Sequence, residues 1–383
     1  MAVLGYLFDW GSFLLEDVMA ESRQWQSELE EYIRQGEPSA KEKSVAWKTA
    51  IGLQQVDGLN TSAYLLDTAK EHIEGKISIH EAQKRIHNYY KAQSQRAKLE
   101  ERTEEADTVA ARITELLGEK TFQFSPAFWQ SIHRRLFEGI FAHAGQFRDY
   151  NITKNEWVLK GDTVIYASAD SIVDTLEYDF RVEREYSYAG KNAQELIAHL
   201  AKFTAGIWQI HPFGEGNTRA TAVFIIKYLQ TFGFTIDNDA FEKNSWYFRN
   251  ALVRANYNDL QHGVHETTLY LEQFFSNLLL GMNYELKNRK LHLDWQEDAP
   301  KCQSEVQSAT DTAPKCQNDT LELSMEELAL LKVIKNNPAI TQAELVGITG
   351  QSLRTIKRLM AAMQAKGCIA RQGGKRFGHW QIL

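Results

Sequence analysis

Cysteine is scarce. Three occur in 383 residues, Cys302, Cys316 and Cys368, and no CxxC pair is present. That excludes a disulfide framework and a thiolate zinc site, and it fits a reducing cytoplasm. Proline is scarcer still for this length, with six. Long helices are therefore allowed, since each interior proline costs one about 3 kcal/mol. Six prolines with 23 glycines also exclude collagen-like and low-complexity chains. No run reaches the ~18 uncharged apolar residues of a membrane helix. The apolar start, residues 1–20, carries Asp9, Glu16 and Asp17 and no basic n-region, so it reads as neither signal peptide nor membrane span. Excess positive charge is missing too: 43 Lys and Arg against 50 Asp and Glu leave a net −7. The whole chain is thus no polycation for nucleic acid. What remains is 43% hydrophobic and 24% charged, enough for a packed core, and the length suggests two or three domains at roughly 150 residues each.

Residues 1–120 read as a helical region. Leu14, Leu15, Val18, Trp25, Leu29, Tyr32 and Ile33 recur at helical spacing. Thr61 or Ser62 is a cap, Gly75 a stop, and Ser78 with Glu81 a capping-box start. Residues 91–112 are charged and weakly periodic, which predicts a solvated connecting helix. From Thr121 the texture changes: Ser125-Pro126 predicts an N-cap with proline at the first helical position. Residues 151–168, NITKNEWVLKGDTVIYAS, carry β-rich runs around Lys160-Gly161-Asp162 and predict a hairpin. Helical patterns return at 169–184, 192–210, 218–232, 242–257 and 265–283. Residues 286–323 read as a linker with APKCQ repeated at 299–303 and 313–317. Residues 324–383 then give three helices, a turn at Thr349-Gly350 and two short strands, the order of a winged helix-turn-helix.

One stretch concentrates chemistry: His211-Pro212-Phe213-Gly214-Glu215-Gly216-Asn217-Thr218-Arg219, between two apolar helical patterns. A glycine-bearing loop that opens a helix offers backbone N–H groups and the positive end of the helix dipole to an anion. Asn217 and Arg219 add donors, Glu215 is a hard oxygen ligand suited to Mg²⁺ on phosphates, and His211 is a candidate base for a hydroxyl nucleophile. Phe213 anchors the loop. Together they suggest phosphoryl or nucleotidyl transfer.

These residues resemble the signature of the Fic family, HPFx(D/E)GNGRxxR: His211, Pro212, Phe213, Glu215, Gly216, Asn217 and Arg219 match. The surrounding 121–285, with its AG-x-x-R segment at 144–148, is similar to the family's catalytic domain. The resemblance implies a mostly α fold, a Fic helical core with a β-hairpin flap. It implies transfer of AMP from ATP, with Mg²⁺, to a Ser, Thr or Tyr hydroxyl of a target protein, with self-modification and autoinhibition as further expectations. By resemblance His211 is the general base and Glu215 the metal ligand. Gly214, Gly216, Asn217, Thr218 and Arg219 cradle phosphates, with Tyr247 and Asn256 near the nucleoside. The flap, Val164, Ile165, Tyr166 and Ala167, would register the target by strand addition.

Two positions depart from the pattern. Thr218 replaces a glycine; it is strained if the position needs φ > 0 and comfortable if it begins the helix. Ala222 stands where the family usually has a second arginine, which leaves room for a different nucleotide donor. Residues 44–92 resemble the antitoxin-like helical inhibitor found beside Fic domains. Asp57-Gly58 occupies its acidic position, with Leu53 where the hydroxyl is expected, and Glu74-Gly75 competes, again without a hydroxyl at Lys70.

The winged region carries nine Lys and Arg against three Glu, or +6. Arg354, Lys357 and Arg358 fall on the candidate recognition helix, and Lys375 and Arg376 at the wing tip, which predicts duplex DNA binding. Dimerisation through this region is the competing expectation. The overall expectation is a cytoplasmic Fic-type nucleotidyltransferase whose catalytic and winged units are mechanically independent. Its rivals are a DNA-binding regulator with a nucleotide-sensing core, a transferase using another donor, and an enzyme that also removes AMP.

Overall fold

The computed structural model describes residues 38–92, 98–235, 240–295, 322–374 and 378–383. Leu14 to Ile33, the repeated APKCQ segments, and Lys375 and Arg376 lie outside the described residues. The chain divides into two compact units between Lys120 and Thr121. No helix among the described residues is long and apolar enough to cross a membrane.

The first unit is built on α1 (Pro38–Gly52), α2 (Ala63–Ile73), α3 (Ile79–Lys91) and α4 (Lys98–Gly118). Ser62 caps α2 by accepting from the Leu65 amide, and Ser78 caps α3 through the Glu81 amide. The solvated helix expected over 91–112 is instead a packed one. Ala106, Val109, Ala110 and Ile113 are fully buried, as is Asp107. An apolar stripe that starts at Ala106 and runs past Arg112 is hidden behind the charged first turns. Asp107 accepts from Ser62 Oγ at 2.5 Å and from Tyr90 Oη at 2.7 Å, which ties three helices together. Asp57 ends a 3₁₀ turn, Leu53–Asp57, and its carbonyl accepts from Arg102 at 2.9 Å.

The second unit opens with α5 (Pro126–Phe137), capped by Ser125 with Pro126 at its first turn. Then come α6 (Ile172–Glu185), α7 (Ala193–Ile210), α8 (Asn217–Thr231), α9 (Ala240–Ala255) and α10 (Leu269–Leu280). Asn192 and Glu195 form a capping box on α7. Helices α7 and α8 are the centre of the core: residues 217–229 of α8 are all buried. Phe124, Phe180, Phe203 and Phe224 pack around them, with centroids 5.0–6.1 Å apart. Aromatic pairs at such spacing add to the stabilisation from area alone.

The predicted hairpin does not form a β-ladder. Residues 151–168 hold a 3₁₀ turn at Trp157–Leu159, closed by Lys160 with φ 59°. The Glu156 amide bonds the Asp162 carbonyl at 2.9 Å and the Gly161 amide bonds Glu156 at 3.0 Å. The β-rich composition is real, but the arms are joined by a few isolated bonds and by side chains from distant helices rather than by a ladder.

The linker expectation is corrected at both ends. Residues 288–291 form a 3₁₀ turn whose Leu291 is 1% exposed, and the Leu293 amide bonds the Val158 carbonyl. At the other end, the Leu323 amide bonds the Lys191 carbonyl at 2.7 Å.

The winged region comprises α11 (Met325–Asn336), α12 (Gln342–Thr349), α13 (Leu353–Ala365) and an antiparallel pair, β1 (Ile369–Gln372) and β2 (His379–Ile382), in register Ile369 with Ile382. It is docked on the helical core, not mechanically independent of it. Lys332 Nζ donates to the Thr235 carbonyl at 2.9 Å, Lys335 Nζ to Leu280 at 3.3 Å, and Gln351 Nε2 to Thr231 at 3.3 Å. The Leu280 and Thr231 carbonyls belong to helix C-termini, whose orphan acceptors and negative dipole end favour such donors.

Candidate active site

The loop 211–216 is wedged between the end of α7 and the start of α8. His211 terminates α7 in the left-handed region, φ 49° and ψ 57°, a conformation histidine visits more readily than most residues. Its ring is 3% exposed. Nδ1 lies 3.2 Å from the Trp208 carbonyl, which can only accept. Nδ1 therefore carries the proton and Nε2 keeps its lone pair. Burial drives the imidazole pKa well below 6.5, and the charges of Lys154, Arg249 and Arg148 drive it the same way. The ring is neutral at pH 7, the form a general base requires. Tyr166 covers it with ring centroids 4.4 Å apart.

The motif asparagine stitches the loop to itself. Asn217 Oδ1 accepts from the Phe213 amide at 3.0 Å, and its Nδ2 donates to the Phe213 carbonyl at 2.7 Å. Phe213 is fully buried against Trp129 and stacks on His133 at 3.7 Å. Gly216 must be glycine: its φ is +75°, and a Cβ there would lie 2.4 Å from the Phe137 ring. Gly214 is crowded differently, by Tyr150 Oη at 2.8 Å and His143 Nε2 at 3.1 Å from a built Cβ. Thr218 sits in the first turn of α8 with helical backbone, accepting from Trp208 Nε1 at 3.0 Å. The strain contemplated for a left-handed threonine does not arise.

The first-turn amides of α8 have no carbonyl four residues back, so they and the helix dipole favour an anion at the loop. Glu215 turns its carboxylate outward, 61% exposed, and its Oε2 meets Lys154 Nζ at 3.4 Å. No group of three or more His, Cys, Asp or Glu capable of holding a metal occurs among the described residues. One exposed carboxylate beside an anion-binding helix end suits Mg²⁺ that arrives on phosphates and keeps several waters. It does not suit a protein cage. Arg219 is 2% exposed, with its guanidinium 4.7 Å over the Phe137 ring. In this structure its charge lies beneath the loop, in cation–π contact.

The flap residues alternate. Val164 is 1% exposed, Ile165 81% and Tyr166 9%; Ala167 lends its carbonyl to Arg148. The segment is fastened both from outside and from within. Gln209 Nε2 donates to the Ile165 carbonyl at 3.0 Å, Tyr166 Oη to Glu156, and Tyr257 Oη to Asp162 at 2.7 Å. Glu156, 1% exposed, is held by Arg249 through both oxygens, at 2.6 and 3.1 Å.

The two proposed nucleoside contacts are otherwise engaged. Tyr247 is buried at 1% exposure with its hydroxyl on Gln273, and Asn256 Nδ2 donates to the Ala205 and Leu252 carbonyls. Arg354, Lys357 and Arg358 are exposed on α13. Of the other winged-region cations, Lys332 and Lys335 are turned to the core and Lys366 pairs with Glu327 at 2.6 Å. Asp57 belongs to the first unit, described above.

Three residues of the site lie outside the motif loop. Arg148, 5% exposed, donates to the carbonyls of His211 at 2.8 Å, Tyr150 at 2.6 Å, Ile210 and Ala167, thereby joining loop and flap. His133 accepts from the Gly145 amide at Nδ1 and donates from Nε2 to the Glu215 carbonyl, both at 2.9 Å. Burial lowers its pKa to about 4, which keeps that tautomer neutral. Lys154 is the third. The AG-x-x-R segment contains Arg148, but which carbonyls it gathers depends on residues some 60 positions away.

Residues 123–229 match the Fic/DOC family model, and residues 327–370 match a winged helix-turn-helix DNA-binding model. The chain is 26% identical over 204 residues to the protein adenylyltransferase VbhT of Bartonella schoenbuchensis, spanning 52% of this chain and 41% of that protein. It is 26% identical over 150 residues to a protein of Sinorhizobium fredii named probable protein adenylyltransferase y4lH, covering 39% and 73%. A crystal structure of a Fic family protein from Desulfovibrio desulfuricans aligns over 96% of this chain and 95% of that one, at TM-score 0.43 and 9% identity. The motif loop and the helices that hold it fall within the first match: residues 123–229 are a Fic/DOC domain, followed in the same chain by a winged helix-turn-helix domain.

Proposed function

We propose that this chain is a protein adenylyltransferase. It transfers AMP from ATP to a hydroxyl side chain of a target protein or of itself. The observation that carries the reading is His211, a buried neutral imidazole with a free Nε2 lone pair at the foot of an anion-binding helix end. Nε2 takes the proton of the incoming hydroxyl. The hydroxyl oxygen attacks the α-phosphorus, the bond from that phosphorus to the α–β bridging oxygen breaks, and pyrophosphate leaves. Glu215 is the residue that would hold Mg²⁺, which supplies neutralisation of polyphosphate charge when bound. The loop amides and the α8 dipole stabilise charge that develops on the phosphoryl oxygens. Ile165 and its neighbours offer an extended edge beside His211 on which a target segment can lie.

Labelled ATP, UTP, GTP and CTP, incubated with the purified chain and a lysate, test both the transfer and the donor. Incorporation from ATP that is absent in His211→Ala supports the reading; equal incorporation in that variant refutes it. Incorporation from another nucleotide alone moves the assignment to a different donor.

We further propose that the winged domain binds duplex DNA through α13, where Arg354, Lys357 and Arg358 face solvent. Asp57 is proposed as a regulatory residue on sequence grounds. Raised self-labelling in Asp57→Ala supports that role, and unchanged labelling leaves the segment a packing one.

A further inference from the structure

Three cationic side chains act on His211: Lys154, Arg249 and Arg148. Two of them are committed. Arg249 grips both oxygens of buried Glu156, and Arg148 is surrounded by four backbone carbonyls. Arg219 lies under the loop against Phe137, and position 222, fully buried, is alanine. Lys154 differs from all of these. Its side chain is 27% exposed, and its ammonium rests on Glu215 at 3.4 Å, a long contact to an exposed carboxylate. Its backbone is fixed, because its amide donates to Thr163 Oγ1 at 3.2 Å across the flap arms. The side chain thus hangs from a fixed point into the mouth of the anion site. An exposed ion pair of this kind contributes little, 0–1 kcal/mol in general, so a better anion displaces it readily.

A nucleoside triphosphate brings about four negative charges to this loop. The loop amides and the helix end answer part of that, and the chain has no arginine at position 222 to answer more. We propose that Lys154 is a phosphate ligand of the nucleotide donor. Its ammonium exchanges Glu215 for a non-bridging phosphate oxygen and supplies, from the flap side, the cation that Ala222 does not supply from α8. This rests on the nucleotidyl-transfer reading above. It predicts that selectivity for the number of phosphates resides partly in a flap residue, where lysine acts as a point charge.

The test uses the full-length chain and measures binding rather than turnover. Affinities for ATP, ADP, AMP and adenosine are measured by calorimetry in EDTA, for the wild type, Lys154→Gln and Lys154→Arg. Circular dichroism checks that the variants are folded. Lys154→Gln is expected to weaken ATP about tenfold and ADP less, and to leave adenosine unchanged; Lys154→Arg is expected to recover most of the loss. Repeating the comparison in a Glu215→Gln background separates a direct contact from relief of repulsion. A direct contact keeps the loss there, whereas an indirect one abolishes it. Unaltered ATP affinity in folded Lys154→Gln, or an equal loss for adenosine, overturns the proposal and leaves the transferase reading intact. A wild type that binds none of the four overturns both.

Discussion

Gly216→Ala is the sharpest probe of how the loop is built. The backbone there has φ +75°, and a methyl group would enter the Phe137 ring at 2.4 Å. Two costs follow. The left-handed conformation costs an alanine about 1–2 kcal/mol more than a glycine, and forcing a methyl into a packed site costs about 1–3 kcal/mol. Gly139 separates them, because it has φ +76° and open space around its Cβ position. Gly139→Ala therefore reports the backbone cost alone. Gly214→Ala reports the reverse case: the φ is ordinary, and the nearest atom is the hydroxyl of Tyr150, an exposed side chain free to move. At roughly 2–4 °C per kcal/mol for units of 150–250 residues, Gly216→Ala should lower the melting temperature of the second unit by about 4–20 °C. Gly139→Ala should lower it by about 2–8 °C and Gly214→Ala by less. Differential scanning fluorimetry on the full chain reads all three. Phe137→Leu should restore part of the Gly216→Ala deficit, since it removes the ring edge that collides. Equal melting shifts for Gly216→Ala and Gly139→Ala would refute the steric argument. The glycine would then serve φ alone.

His211→Ala should abolish labelling while leaving ATP affinity nearly unchanged, because the base acts on the nucleophile and the loop amides hold the phosphates; calorimetry beside a labelling assay checks this. Glu215→Gln should remove the Mg²⁺ dependence of nucleotide affinity and keep the metal-free component, measured by titration with and without EDTA. His133, with a folded pKa of about 4 against 6.5 unfolded, contributes stability that is complete above pH 6.5 and is lost as pH falls toward 4, about 3 kcal/mol in all. Comparing wild type with His133→Asn across that window isolates it, and parallel melting curves would contradict the assignment. Arg354→Ala with Arg358→Ala should weaken duplex DNA binding and flatten the slope of log K against log salt by about 1.8. An unchanged slope by fluorescence anisotropy would remove α13 from the interface.

What could be read from sequence was local. Ser62, Ser78 and Ser125-Pro126 act within three residues of themselves, and all serve as N-caps, with the Glu81 carboxylate turned to Arg85 rather than back to Ser78. The motif loop was legible for the same reason, since Asn217 reaches only to Phe213. What failed depended on distant partners. The run Thr163–Tyr166 has strand composition, but Glu156 and Asp162 find Arg249 and Tyr257, about 90 residues away, and Tyr166 turns to Glu156, in place of a β-ladder. Tyr247 does lie on the expected helix, and its hydroxyl meets Gln273 of α10, a partner 26 residues away that local pattern does not announce. The buried stripe of α4 was masked by charged neighbours in its first turns.

The docking of the winged domain has an experimental corollary. Lys332 and Lys335 donate to the carbonyls of Thr235, Leu280 and Gly281, and Lys332 is only 7% exposed. Excised as residues 324–383, the domain would uncover the Lys332 ammonium and release Lys335, already exposed, from its carbonyl partners. The fragment thus carries the same formal charge as the domain in place but presents more of it to solvent. Its affinity for any polyanion would overstate that of the intact protein. Measurements on the excised piece describe a surface that the whole chain keeps covered.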